Sequence, residues 1–140
     1  MASSAEQTGK RLRPTFAEIG LPRIRAVVGD FYDRIQRHPT LAEPFGIVSD
    51  WDEHKAHLTH FWWISLGGPR FRPDGYNLID KHAPVGVTPA LVDDWLALFA
   101  QTLADHLPPE LAAAWLERAV NMGRSLRLMC EFYQEQQPTS

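Results

Sequence analysis

Apolar positions along this chain recur at three- and four-residue intervals, and apolar alternation of period two never runs beyond a few residues. Ile24, Val27, Val28, Phe31 and Ile35 form the i, i+3, i+4, i+7, i+11 stripe of an amphipathic helix, with Pro22 near its start and Pro39 ending it. Residues 41–45 read as a turn or a single helical turn. Asp50, with Glu53 three residues on, is a capping-box signature that opens a helix to about residue 66. Gly67-Gly68-Pro69 stops it, and a loop rich in Gly, Pro and Arg follows. Residues 76–82 suit one or two helical turns before Pro84. Thr88-Pro89 pairs a cap with a first-turn proline. The helix it opens carries Leu91, Trp95, Leu98, Phe99, Thr102 and Leu103, and ends at Pro108-Pro109. A last helix over 109–134 shows Leu111, Trp115, Met122, Leu126, Met129 and Tyr133. The pattern predicts an all-α fold, and short connections at 67–68 and 107–108 favour antiparallel neighbours.

Composition narrows the partners. A chain of 140 residues, 44% hydrophobic and 22% charged, fits one ordinary globular domain. The formal charge of −3 leaves no basic footprint for nucleic acid and no attraction to an anionic membrane. No apolar run approaches the roughly 20 residues of a membrane span. Residues 1–14 are polar and basic, without the apolar centre of a signal peptide, and read as a loose arm. Cys130 is the single cysteine, which excludes an internal disulfide and suits a reducing compartment, so a cytoplasmic location is expected. Cys130 itself sits on an apolar helix face, where a thiol is inert. Nucleotide-cradling loops and nucleophile motifs are absent from the sequence.

The candidate chemistry begins with the histidines. On the predicted helix from Asp50, with His54 as origin and about 100° per residue, Leu58 falls at about 40°, Phe61 at about −20° and Trp62 at about 80°. His54 therefore shares the apolar face. His57 sits at its edge and His60 points away, and both read as ordinary surface or structural histidines. Trp63, opposite His54, reads as an exposed contact residue, whereas Trp51 and Trp115 read as core. The His54-x-x-His57 pair lacks the spacing and the additional ligands of a zinc site. Tyr32 and Trp95 lie on core stripes, where an O–H or N–H needs a partner; either serves packing or faces a ligand. His82 stands alone in the short segment between the helical patterns. One histidine on a short helix, facing an aromatic-lined pocket with a few polar groups, suits a haem iron.

Phe31-Tyr32, His54-Lys55, Phe61-Trp62, Leu66-Gly67, Lys81-His82 and the Trp95-Leu96-x-Leu98-Phe99 run together resemble the truncated haemoglobins, specifically their third group, across residues 24–129. The resemblance implies a shortened globin, a two-over-two helical sandwich around one b-type haem, spanning residues 15–137. It implies His82 as proximal iron ligand, with Tyr32 and Trp95 facing bound ligand on the other side. It also implies His54 at the pocket entrance, with Phe31, Leu58 and Trp62 lining an apolar wall. Lys81, Arg70 and Arg72 are the local cations for the haem propionates. The 67–81 loop is a few residues longer than is usual in that group, and no proline shortly precedes His82. The function it implies is binding of oxygen and other diatomic ligands at a five-coordinate iron, for oxygen transport or sensing. Nitric-oxide dioxygenase or peroxidase chemistry, assisted by a reductase, is the alternative of the same pocket, and a cofactor-free helical interaction module is the alternative without one.

Overall fold

A computed structural model of the chain describes residues 16–73 and 88–136, excepting the side chains of residues 16, 47 and 129–136. Five α-helices make up the described residues: α1 (Phe16–Ile19), α2 (Leu21–Ile35), α3 (Trp51–Ser65), α4 (Pro89–His106) and α5 (Pro109–Gln136). A 3-10 turn at Pro44–Ile47 lies between α2 and α3. No strand occurs among the described residues, in keeping with the all-α expectation.

The helix starts follow local chemistry. The Asp50 side chain accepts the Glu53 backbone N–H (3.1 Å) and Thr88 Oγ1 accepts that of Leu91 (3.2 Å). Each satisfies one orphan donor of a first turn, worth about 1 kcal/mol. Only half of the Asp50–Glu53 box is closed this way, because the Glu53 carboxylate is engaged by Arg72. Helix α2 stops at Ile35, ahead of Pro39. His38 then organises the turn, its Nδ1 accepting the Thr40 and Leu41 N–H groups at 3.2 and 3.3 Å.

The predicted apolar stripes meet in one core. Ile24, Val27, Val28, Phe31 and Ile35 of α2 are fully buried against Trp62 of α3, Leu66 just beyond it, Phe99 and Leu103 of α4, and Trp115 and Ala119 of α5. Helix α2 packs on both α3 and α4, and α4 packs on α5. The α4–α5 pair is antiparallel. Its two-residue connector joins one end, while Arg127 of α5 reaches back to Asp93 near the start of α4 (3.6 Å). Thr102, a polar residue in this interior, bonds the Leu98 carbonyl one turn back (2.8 Å) and so is buried at little cost.

Charged pairs fasten the outside. Arg34 of α2 bridges Asp30 (2.9 Å) and Asp105 (2.7 Å), and His106 Nε2 lies 2.8 Å from the same Asp30. Burial works to raise the Asp30 carboxyl, but hydrogen bonds from His106 and Arg34 prevail and hold it below the usual carboxylate range. Lys55 to Asp33 (2.6 Å) ties α3 to α2, and Thr40 to Asp94 (2.6 Å) ties the 36–50 connection to α4.

Two residues lie elsewhere than the helical wheel expects. His60, which the wheel turns away from the apolar stripe, is fully buried, and Trp63 is half-buried rather than a free contact surface. The reason is one fold-back. After Ser65 the chain reverses over the side of α3 away from the core and covers it. Gly67 carries the positive φ of 102° this requires. Gly68 lies directly under the Trp63 indole, where a Cβ would stand 2.4 Å from the ring. The Trp63 N–H donates to the Pro69 carbonyl (2.7 Å), and Phe71 packs against both Trp63 and His60.

Candidate functional site

Six of the site residues expected from sequence fall within the described chain, and the fold brings them to one place. Tyr32 and Phe31 come from the last two turns of α2, His54, Leu58 and Trp62 from α3, and Trp95 from α4. Each arrives on the apolar stripe of its helix, so the packing that buries the stripe also aims the residue.

Phe31 lies at the centre. Its ring meets Tyr32 edge-on at 5.0 Å, Trp95 at 5.1 Å and Phe99 at 4.8 Å. Behind it, Trp62 stacks on Phe99 at 5.5 Å and on Trp95 at 6.4 Å, and meets Trp115 at 5.7 Å. Offset-stacked and edge-to-face contacts of this kind add about 0.5–1.5 kcal/mol per pair beyond the area they bury. Trp62 is thus a core ring with one neighbour, Trp95, in the candidate site. The Trp62 and Trp115 indole N–H groups are buried without a hydrogen-bond partner among the described residues. Leu58, Phe61 and Trp95 are only partly buried where they pack on this core, which leaves an aromatic and aliphatic face beside it.

The polar groups of the site gather around Tyr32. The residue is only 3% exposed. Burial pushes its phenol well above the ordinary tyrosine range, and a hydrogen bond with Trp95 pulls weakly the other way. Like any tyrosine at neutral pH, the residue keeps its proton and is a donor. The His54 ring stands edge-on to Tyr32 at 5.2 Å, and Trp51 and Phe45 complete the surround at 6.1 and 5.8 Å from Tyr32. Trp51 also meets His54 at 5.5 Å. Sequence reasoning left these two out of the site. Phe45 lay in a short segment with no period to orient it, and Trp51, at the first turn of α3, was read as core.

Of the remaining candidates, His82 and Lys81 lie outside the described residues. Arg72 pairs with Glu53, and Arg70 Nη1 donates to the Arg72 carbonyl (3.2 Å). The described half of the site offers a buried O–H donor, an indole N–H, one imidazole at the edge and an apolar face. That donor set fits a flat, largely apolar cofactor carrying a small polar ligand, such as haem.

A family model described as bacterial-like globin matches residues 14–126. No curated protein matches the chain.

Proposed function

This chain belongs to the bacterial-like globin family, hence to haem-binding proteins with gaseous ligands such as oxygen, and on that premise we propose that it is a group III truncated haemoglobin holding one b-type haem. His82 is the proximal ligand. Phe31, Leu58 and Trp62 form the apolar wall, and Lys81 serves the haem edge. Haem ligated by a neutral imidazole supplies an open sixth position for a diatomic ligand. The chain's own residues set what that position favours. Tyr32 and Trp95 present an O–H and an N–H to a ligand that draws negative charge, each bond worth about 0.5–1.5 kcal/mol. Leu58 and Phe61 keep water from the same space. His54 stands at the pocket mouth and acts as a gate, since the two donors already meet the ligand's needs.

The observation that carries this reading is the phenol of Tyr32. It is buried and bracketed by Trp95 and His54 from two other helices. A tyrosine serving packing alone has no need of two such polar neighbours. Oxygen and other diatomic molecules are the ligands, and we place the protein in the cytoplasm, which a single cysteine suits.

The test is an absorption spectrum of the purified protein with and without the proximal candidate. Wild type is expected to hold haem stoichiometrically and show a five-coordinate ferrous spectrum. His82→Ala is expected to lose haem, or to keep it only with exogenous imidazole. A normal Soret band in that variant without imidazole refutes the ligand assignment.

A further inference from the structure

Helix α3 has two polar faces to account for, and only one belongs to the site above. The other carries His60, which has no solvent exposure yet is an imidazole in the middle of a helix. Its Nε2 accepts two backbone N–H groups, from Phe71 (3.0 Å) and Arg72 (3.2 Å). A backbone N–H can only donate, so these contacts require an unprotonated Nε2. The ring proton of the neutral imidazole therefore sits on Nδ1. The Phe71 ring closes over the imidazole at 4.5 Å.

Both amides belong to irregular chain, residues 66–73, which has no helix ladder to satisfy them. Other contacts hold the same stretch to α3: Trp63 to the Pro69 carbonyl, Gly68 beneath the Trp63 ring, and Arg72 to Glu53. Each of those lies at a partly or fully exposed side chain. The His60 pair is the one made by a completely buried side chain, and its loss leaves two backbone donors of a part-buried stretch without their acceptor. The pinned stretch leads in sequence to Lys81 and His82, beginning eight residues beyond Pro73. The helix to which it is pinned carries His54, Leu58 and Trp62.

We propose that His60 is a positioning residue for the cofactor: by accepting the Phe71 and Arg72 amides it fixes the start of the segment bearing the iron ligand to the helix that lines the opposite side. The proposal rests on the haem reading given above. It assigns the neutral Nδ1–H imidazole a role as a double acceptor, touching neither haem nor its ligand. Its consequence is haem retention, because fastening the start of that segment would limit how far the proximal ligand could move from the cofactor.

The test compares His60→Leu, which keeps a similar apolar volume and removes the acceptor, with His60→Gln, whose amide oxygen reaches about as far as Nε2. Two readouts are taken on the haem-loaded proteins: hydrogen exchange of the Phe71 and Arg72 amides, and the rate of haem transfer to an excess of a haem-scavenging apo-globin. In His60→Leu both amides are expected to lose protection and haem loss to accelerate about tenfold or more. In His60→Gln protection and haem loss are expected to return to within about threefold of wild type. Equal acceleration in both variants means that only ring packing matters, and overturns the proposal. So does unprotected exchange in His60→Leu with haem loss at the wild-type rate, or unchanged exchange in His60→Leu. Failure of the haem reading shows separately, in the spectra of wild type and His82→Ala before either His60 variant is made.

Discussion

Replacing Tyr32 with Phe removes one oxygen atom from the best-defined polar point of the site. The ring keeps its edge-on contacts with Phe31 and His54, at 5.0 and 5.2 Å, so packing should change little. The loss is the donor. A phenol is protonated at neutral pH, so every molecule carries the O–H and the substitution removes it from the whole population. A lost hydrogen bond of about 1 kcal/mol speeds release of bound oxygen roughly fivefold. Carbon monoxide draws less negative charge, and its release should change far less. Trp95→Phe deletes the second donor, with a similar expected effect. The double variant tests additivity, since both donors are assigned to one ligand. Stopped-flow displacement of oxygen reads the rates. Wild-type release from both single variants would show that Tyr32 and Trp95 are packing residues and that the distal assignment is wrong. The same phenol makes an independent prediction about stability. Its folded pKa lies above the unfolded value near 10, so its contribution is complete below about pH 10 and is lost as pH rises further. Wild type should therefore destabilise in alkali more steeply than Tyr32→Phe in denaturant titrations.

Three further outcomes check other parts of the structure. His54→Ala should mainly speed carbon monoxide association after flash photolysis, leaving a five-coordinate ferrous spectrum; a bis-histidine wild-type spectrum abolished by the substitution would instead make His54 an iron ligand. Asp30→Asn frees Arg34 and His106 from their shared partner and should lower stability by up to about 1 kcal/mol at pH 7 after screening. Because the Asp30 pKa is depressed, that difference should shrink as pH falls below about 4, which paired melts at two pH values will show. Gly68→Ala sets a Cβ 2.4 Å from the Trp63 ring and should cost about 1–3 kcal/mol, seen as a lower Tm with altered tryptophan fluorescence; an unchanged melt would mean that residues 66–73 are not held against α3 as described.

How far this protein can be read without its tertiary structure depends on how local the deciding physics is. Helix starts are local: Asp50 and Thr88 cap amide groups three residues away, and both were legible in the sequence. Stripes are nearly as local, since the period that orients Phe31, Tyr32, His54 and Trp95 is a property of each helix alone. Their convergence followed from the resemblance to a globin, and the aromatic contacts among them supply its physical counterpart. The termination at Gly67-Gly68 was equally plain, though not its consequence. A helical wheel has an inside and an outside only when one neighbour covers it. Helix α3 is covered twice, by the core on one side and by its own following loop on the other. The wheel accordingly turned His60 and Trp63 away from the core stripe, and the fold-back buries the first and half-buries the second. Phe45 joined the surround of Tyr32 unforeseen because the 36–50 connection has no period from which a direction can be taken, and Trp51 because it was read as core. Sequence by itself determined where the four long helices begin and which stripe of each faces the core, since those depend on neighbours within a turn or two. Only the tertiary structure decided what covers the remaining faces, since that depends on where an irregular chain lands, which is set by contacts such as the two amides that close on His60.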